Sequence, residues 1–373
     1  LFKNIFFKLF ILFYLYLVLT SLLSDHFNES IRSSITYIRF GLFSLAVYFL
    51  LKNNNKLIKY FYLVVYFTII VLLIDGYYQF FTGKNIFGYK VIRPDRLGGL
   101  FFDELILGSY LSKILPIFCT FYYLNKNNLN KYNIFIIIFL VYLLIFLSGE
   151  RSAFLNSTLY IFMIAPFFLN FRNIILTFIT LIIIVGSLVA FNENIKSRYY
   201  DQMIMHTINS TNQSEQNFLP EHMGLFSSAI KIFKKNIFFG DGVKTYRINC
   251  NSKKYDNDID LSKLTEKRNK NCSTHPHNFY LQLLAETGIF GFLFIFLIFL
   301  KLFYDYFKKL YFFLKRTNYI NKSNVLILSG LITFLWPITT TGSFFNNWIC
   351  SILFLQLGIY LYTINSNYKK NES

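Results

Sequence analysis

The sequence predicts an all-α protein, a polytopic transmembrane helical bundle. Three observations predict it: 54% of the residues are hydrophobic, only 15% are charged, and the apolar residues fall in long runs. A soluble domain carries about a quarter charged residues. A hydrocarbon core about 30 Å thick takes about 20 apolar residues in a helix. Runs of that kind lie near residues 5–23, 35–51, 57–76, 104–124, 132–148, 152–169, 173–191, 277–300, 324–341 and 347–364, which makes ten expected spans. With 17 Gly and 4 Cys in 373 residues, collagen, a disulfide-dense scaffold and a disordered chain are excluded. The net charge of +18 is read through topology, and no nucleic-acid partner is expected.

The first run lacks a small-residue cleavage site and is followed by another span, so it is read as a span and not as a cleavable signal. Leu1 stands where a start Met is expected, consistent with either a non-standard start codon or a missing N-terminal piece. With Lys3 and Lys8 on the inner side, the inner segments hold 16 Lys and Arg, and the outer segments apart from one long loop hold 6. That bias places both termini in the cytoplasm. The expected organisation is one integral membrane domain: N-terminal spans over 1–191, a long outer loop over 192–276, and C-terminal spans over 277–373. The loop's 13 basic residues do not count against the orientation, because long loops escape the charge rule. A loop so much longer than its neighbours is expected to be functional.

Inside the loop, residues 224–239 set Leu225, Ile230 and Phe233 apart from Lys231, Lys234 and Lys235, as an interfacial helix would, and end at Gly240. Asn209 to Gln216 reads as a loop tip. On an oxidising outer face Cys250 and Cys272 are candidates for a disulfide. By loop entropy it would contribute about 3 kcal/mol. The spacing of Cys250, Cys272, His275 and His277 fits no zinc pattern, so no metal is expected. Asp256-Asn257-Asp258 has the form of a divalent-ion motif, but three letters in a polar run read first as a solvated acidic patch. Phosphate-binding Gly-rich loops and the familiar hydrolase motifs do not occur.

The most informative stretch is Ser273-Thr274-His275-Pro276-His277-Asn278 at the head of the eighth run. Ser273 or Thr274 capping a helix with Pro276 in its first turn would put His277 at the outer mouth of a membrane helix. Leu281, Leu284, Gly288 and Gly291 would then lie beneath it, with the two glycines admitting a neighbouring helix. A helix N-terminus disfavours an imidazolium, so a neutral His277 that accepts a proton is expected. The plainer reading is a capping, interfacial histidine. Arg151, in the short outer loop Ser148-Gly149-Glu150-Arg151-Ser152, suits a phosphate or diphosphate, with a snorkelling anchor or a pair with Glu150 as the alternative. Arg93-Pro-Asp-Arg96, followed by Asp103-Glu104, is a second outer cluster that reads equally as structural ion pairing. Lys113 and Arg39 inside spans require partners, and Asp75, Asp103 and Glu104 are the acidic candidates.

Together these residues resemble the O-antigen ligase and O-antigen polymerase superfamily of bacterial membrane glycosyltransferases. The resemblance rests on His277-Asn278 and, nine residues later, Gly288-Ile-Phe-Gly291. It extends to Ser148 to Ser152, to Phe239-Gly240-Asp241-Gly242 after an amphipathic helix, and to Arg96-Leu-Gly-Gly-Leu-Phe-Phe-Asp103, over roughly residues 90–300. Family members often have about twelve spans, which ten runs match with a shorter N-terminal region or helices that hydropathy leaves unmarked.

The resemblance implies transfer of a glycan from an undecaprenyl diphosphate carrier, with no cofactor, at the periplasmic face of the bacterial inner membrane. The acceptor would be lipid A core for a ligase, or a second carrier-linked glycan for a polymerase; the clarity of the His277 motif favours the ligase. It implies that His277 and Arg151 are catalytic. The second family arginine is expected where this chain has Glu221-His222, so His222 replaces it or Arg198 supplies it. Arg96, His275 and Asn278 complete the expected contacts to diphosphate and glycan, and Tyr199, Tyr200 and Tyr280 are candidates to stack on sugars or sit at the interface. A lipid-glycan transporter is the reading from another class; it predicts a repeat and midplane ionisable groups, and no repeat is visible. A purely structural or receptor-like membrane protein is the plainest reading, favoured if His277 and the outer arginines prove replaceable.

Overall fold

The computed structural model describes residues 5–125, 131–205, 220–250, 252, 272–317 and 320–365. It is all-α: among the described residues no strand forms, and pairing is limited to isolated bridges at Lys84–Lys90 and Arg93–Arg96. The helices are α1 (Ile5–Leu22), α2 (Phe27–Asn53), α3 (Lys56–Thr82), α4 (Leu107–Leu124), α5 (Lys131–Leu147), α6 (Arg151–Phe168), α7 (Phe171–Phe191), α8 (Glu193–Lys196), α9 (Pro220–Lys235), α10 (Tyr246–Asn249), α11 (Phe279–Leu314), α12 (Lys322–Phe334) and α13 (Asn347–Asn365). A wide-turned π-helix, Ser197–Met205, continues from α8. Each of the ten apolar runs holds a helix. Six of these helices, α1, α2, α3, α7, α11 and α13, are long and apolar enough to cross a membrane. The chain is a multi-pass membrane protein. α7 makes the point most directly: it is apolar along its length and buries no residue in the protein. Such a surface is stable in lipid and not in water.

The chain forms two compact units. The first comprises Leu1–Val47, Ser210–Leu302 and Leu335–Gly358; the second comprises Tyr48–Asn209, Phe303–Phe334 and Ile359–Ser373.

In the second unit α4 is the central helix, packed on α3, α5, α6 and α12. Leu107, Leu111, Leu115, Phe118 and Phe121 recur at helical spacing and are buried, and α12 is buried from Ser323 to Phe334. Its in-span charge has a different solution from the one expected. Lys113 donates to the carbonyl of Ser109 at 3.4 Å, lies 5.4 Å from the centroid of the Phe334 ring and has Glu150 as its acidic neighbour. Asp75 instead accepts from the Ile86 N–H at 2.9 Å, and Asp103 and Glu104 are exposed.

In the first unit Arg39 donates to Asn347 Oδ1 at 2.7 Å. The centre of this unit is a break in α11 at Gly288, with φ 64° and ψ −168°. An unbroken helix would bond the Ala285 and Glu286 carbonyls to the N–H groups of residues 289 and 290. Here the Ala285 carbonyl accepts from the Asp241 N–H at 3.0 Å, and the Glu286 carbonyl from the Gly242 N–H at 2.9 Å. The Ile289 N–H donates to the Ile237 carbonyl at 2.8 Å. The loop after α9 thus supplies the partners that the break removes, as buried backbone requires. The approach is backbone to backbone. A Cβ on Gly240 would stand 2.5 Å from Thr287 N, and one on Gly288 would stand 2.7 Å from Phe239 N. Tyr16 Oη seals the crossing by donating to the carbonyls of Thr287 (2.6 Å) and Phe238 (3.0 Å). Gly288 therefore does not lie on a smooth helix face beneath His277: it ends one helical segment. Gly291 does admit a neighbour, the Tyr16 ring of α1, 3.3 Å from where its Cβ would stand.

The amphipathic helix is displaced from its expected 224–239 to Pro220–Lys235, and its inner face differs. Leu225, Ala229 and Ile232 are buried, the latter two against Tyr246, Cys250 and Ala285, whereas Ile230 is 42% exposed. The helix therefore packs on protein through a face that includes Ala229, which the charge pattern alone did not mark.

Gly288→Ala and Gly240→Ala each force a backbone overlap at a positive φ. We expect each to destabilise the detergent-solubilised protein by about 2–5 kcal/mol. Gly186→Ala, in α7 with nothing within 4 Å of the added methyl, should be neutral or stabilise by up to about 1 kcal/mol. Thermal unfolding midpoints of the three variants check this.

Candidate active site

In the second unit, four arginines from three chain segments gather around one aspartate. Arg93, Asp95 and Arg96 lie in the loop after α3, Arg151 opens α6, and Arg198 sits in the π-helix. The loop Ser148–Glu150 passes directly beneath the first segment: the Leu97 N–H donates to the Ser148 carbonyl at 3.2 Å, and Gly149, at φ 73°, leaves no room for a Cβ against Asp95. Arg198 Nε donates to the Gly149 carbonyl at 2.9 Å, and Arg96 Nη2 to the Leu105 carbonyl at 2.7 Å. The guanidinium groups are thus aimed by backbone oxygens. Asp95 forms a two-point pair with Arg93 at 3.1 and 3.2 Å, and its Oδ2 lies 3.6 Å from Arg198 Nη1.

The arginines repel one another. Burial pushes the Arg198 pKa down to about 10, assisted by the charges of Arg151, Arg96 and Arg93 and opposed by Asp95. Burial also lowers the pKa of Arg96. At Asp95 burial acts to raise the pKa, but the hydrogen bond and charge of Arg93 and the charge of Arg198 together bring it below the usual carboxylate range. Glu150 does not pair with Arg151. Its carboxylate turns inward and caps α4, accepting from the N–H groups of Gly108 (2.6 Å) and Ser109 (3.1 Å) and from Ser109 Oγ (2.5 Å). That is where a helix N-terminus takes an anion. Among the described residues Arg151 makes no ion pair.

A cavity of about 340 Å³ opens here. Its lining combines polar side chains, among them Asp95, Arg96, Arg198 and Asn194, with apolar ones, among them Phe80, Leu97, Phe146 and Ile195. Tyr199 also lines it, stacked on Phe146 at 4.5 Å with its hydroxyl donating to the Phe146 carbonyl at 2.9 Å. A wall of this kind accepts an amphiphile with an anionic head.

In the first unit the His275–Asn278 segment is held from both sides. Cys250 and Cys272 form a disulfide, tying the start of the segment to the end of α10. The Thr341 N–H donates to the His277 carbonyl at 2.8 Å, and Asn278 Nδ2 to the Pro337 carbonyl at 2.8 Å. The helix cap is Asn278 and not Ser273 or Thr274. Its Oδ1 accepts from the N–H groups of Tyr280 (2.9 Å) and Leu281 (3.1 Å), so α11 begins at Phe279 and leaves Pro276 and His277 outside it. His277 has φ 56°, a left-handed conformation that costs a non-glycine residue about 1–3 kcal/mol and persists only where its surroundings impose it. The rings of His275 and His277 lie 4.2 Å apart. Burial, then the neighbouring His277, push the His275 pKa down to about 3, while Thr274 Oγ1 is 2.9 Å from its Nδ1.

The structure therefore brings Arg96, Arg151 and Arg198 together in one unit, and His275, His277 and Asn278 in the other. Tyr280 is withdrawn from any sugar, buried with its hydroxyl on the Leu335 carbonyl at 2.7 Å. His222 lies in α9, its side chain outside the described residues, as are Asp256 to Asp258 and Asn209 to Gln216. Sequence reasoning left Arg93 and Asp95 in a cluster that also reads as structural ion pairing, and passed over Thr341, whose contact to the His277 carbonyl joins residues distant in sequence.

Likeness to known proteins bears on this geometry. The model of the O-antigen ligase family matches residues 135–296, a stretch that includes both Arg151 and His277. Over those residues the chain is similar to O-antigen ligases. No curated protein matches the chain. The likeness supports a role of the ligase or polymerase type in polysaccharide biosynthesis for this membrane protein. The match ends within α11 just past Gly291, so it takes in the glycine crossing of Gly240 and Gly288.

Asn278→Ala should destabilise the protein by about 1–2 kcal/mol while Thr274→Ala costs far less, measured by thermal unfolding. For His275 the folded pKa lies below the ordinary 6.5, so its contribution is complete above that value and is lost as pH falls from about 6.5 towards 3. His275→Asn should therefore show a smaller fall in unfolding midpoint over that pH range than the unsubstituted protein.

Proposed function

We propose that the protein transfers a glycan from an undecaprenyl diphosphate carrier to lipid A core at the periplasmic face of the bacterial inner membrane. The observation that supports this most strongly is the group of four arginines around Asp95, beside a cavity lined by both polar and apolar side chains. A diphosphate joined to a polyprenyl chain likewise combines a charged group with an apolar one.

In this reaction the acceptor hydroxyl oxygen attacks the anomeric carbon, the bond from that carbon to the diphosphate oxygen breaks, and the diphosphate departs with the electron pair. Arg96, Arg151 and Arg198 bind the diphosphate and stabilise the charge that develops on it, in a site where backbone carbonyls already aim Arg96 and Arg198. His277 takes the proton of the acceptor hydroxyl. Its imposed backbone conformation keeps it outside α11. In this reading His275, Asn278 and His222 contact the glycan and acceptor, and both chain termini lie in the cytoplasm.

The test is transfer by the detergent-solubilised protein from a purified undecaprenyl diphosphate-linked glycan. Arg96→Ala, Arg151→Ala and Arg198→Ala should each lower kcat/KM about 10²–10³-fold. His277→Ala should lower it about 10²–10⁴-fold. Unfolding midpoints of the variants confirm that they are folded. Full activity in all four would refute the site, and transfer to a second donor molecule in place of lipid A core would make the enzyme a polymerase.

A further inference from the structure

We propose that Asp95 is a built-in counter-anion of the arginine site, which weakens its hold on diphosphate so that the product can leave. This rests on the reading of that site as the one that binds diphosphate.

Asp95 does not serve to aim the arginines on the cavity. Arg198 is aimed by the Gly149 carbonyl at 2.9 Å and Arg96 by the Leu105 carbonyl at 2.7 Å. Asp95 Oδ2 is 3.6 Å from Arg198, beyond hydrogen-bond range, and its two hydrogen bonds go to Arg93, whose side chain is 49% exposed. Yet the Asp95 side chain is itself mostly buried and forms part of the cavity wall with Arg96 and Arg198. What Asp95 gives the cavity is its negative charge.

The other nearby carboxylate, Glu150, spends both oxygens on the N-terminus of α4. Asp95 is thus the carboxylate that faces the incoming anion. A pyrophosphate entering the cavity meets Arg96 and Arg198, with Arg151 close by, together with one fixed negative charge that opposes its binding. Without it the arginines would hold substrate and product diphosphate alike more tightly, which lowers KM without aiding the chemical step. Where release is slow, tighter product binding lowers kcat. Asp95 remains ionised across the neutral range, so the effect does not depend on pH there.

The experiment measures binding of inorganic pyrophosphate to the full-length protein in detergent at fixed, low ionic strength, by calorimetry. The variants are the near-isosteric Asp95→Asn, the smaller neutral Asp95→Ser, Arg96→Ala and Arg198→Ala, with transfer kinetics for the two Asp95 variants. The inference expects both arginine variants to weaken pyrophosphate binding and both Asp95 variants to tighten it roughly tenfold, the gain shrinking as salt is raised. It also expects KM for the donor and kcat to fall together in the Asp95 variants, a pattern that simple loss of structure does not produce. Weaker binding in the arginine variants, with unchanged or weaker binding in both Asp95 variants, would overturn the role of Asp95 and leave the site standing. Pyrophosphate binding that is unaffected by Arg96→Ala and Arg198→Ala would overturn the site reading, and the inference with it.

Discussion

A chain within lipid has no water to satisfy its backbone, so every break in a helix must be repaired by protein. In the first unit this constraint organises everything around Gly288. The break frees two carbonyls and one N–H of α11, and Ile237, Asp241 and Gly242 take their places. Because the repair is backbone to backbone, both chain segments must carry glycine at the crossing. Once the loop is seated, Glu286 fastens its next residues, accepting from the N–H groups of Lys244 (2.9 Å) and Tyr246 (3.2 Å) and from Gln282 Nε2 (3.1 Å). Tyr246 then closes onto α9 and precedes Cys250, which holds Cys272 and so the approach to His277. The left-handed turn at His277 is tolerable because this series of attachments leaves the segment little else to adopt.

The second unit faces a different problem, that of keeping like charges together. Arginines that repel one another would swing apart if they were held only by their counter-ion. Here carbonyls of Gly149 and Leu105 direct two of them, and carbonyls carry no net charge to neutralise them. Glu150 shows the same separation of tasks: adjacent to Arg151 in sequence, it is used as a helix cap and does not pair with the arginine. The site is therefore preorganised and electropositive at once, which is what stabilising a departing anion requires.

Much of this was legible in the sequence. Membrane helices announce themselves by composition, so each apolar run holds a helix, although α2, α3 and α11 extend well beyond their runs and α12 stops short of the end of its own; His277, Gly288 and Arg151 stand out by their types and spacing. What escaped was set by contacts distant in sequence. Asn278 and Thr274 are both good caps by residue type, and the choice between them is made by the Pro337 and Thr341 backbones. Gly288 reads as a packing glycine, since a pattern of two glycines three residues apart does not reveal that one of them has φ 64°. Glu150 reads as the partner of Arg151 because they are neighbours, while the free N–H groups of α4 that claim it lie some forty residues earlier.

The two glycine motifs and the arginine loop also differ in what substitution should reveal about them. Gly240 and Gly288 act through excluded volume, so any side chain there perturbs folding before it can perturb chemistry. Asp95 acts through charge at nearly constant shape, so an isosteric amide changes the electrostatics of the cavity while leaving its walls in place. A residue of the first kind is conspicuous in a sequence but uninformative about mechanism. The second kind hides as one ordinary carboxylate between two arginines, and there function can be separated from stability.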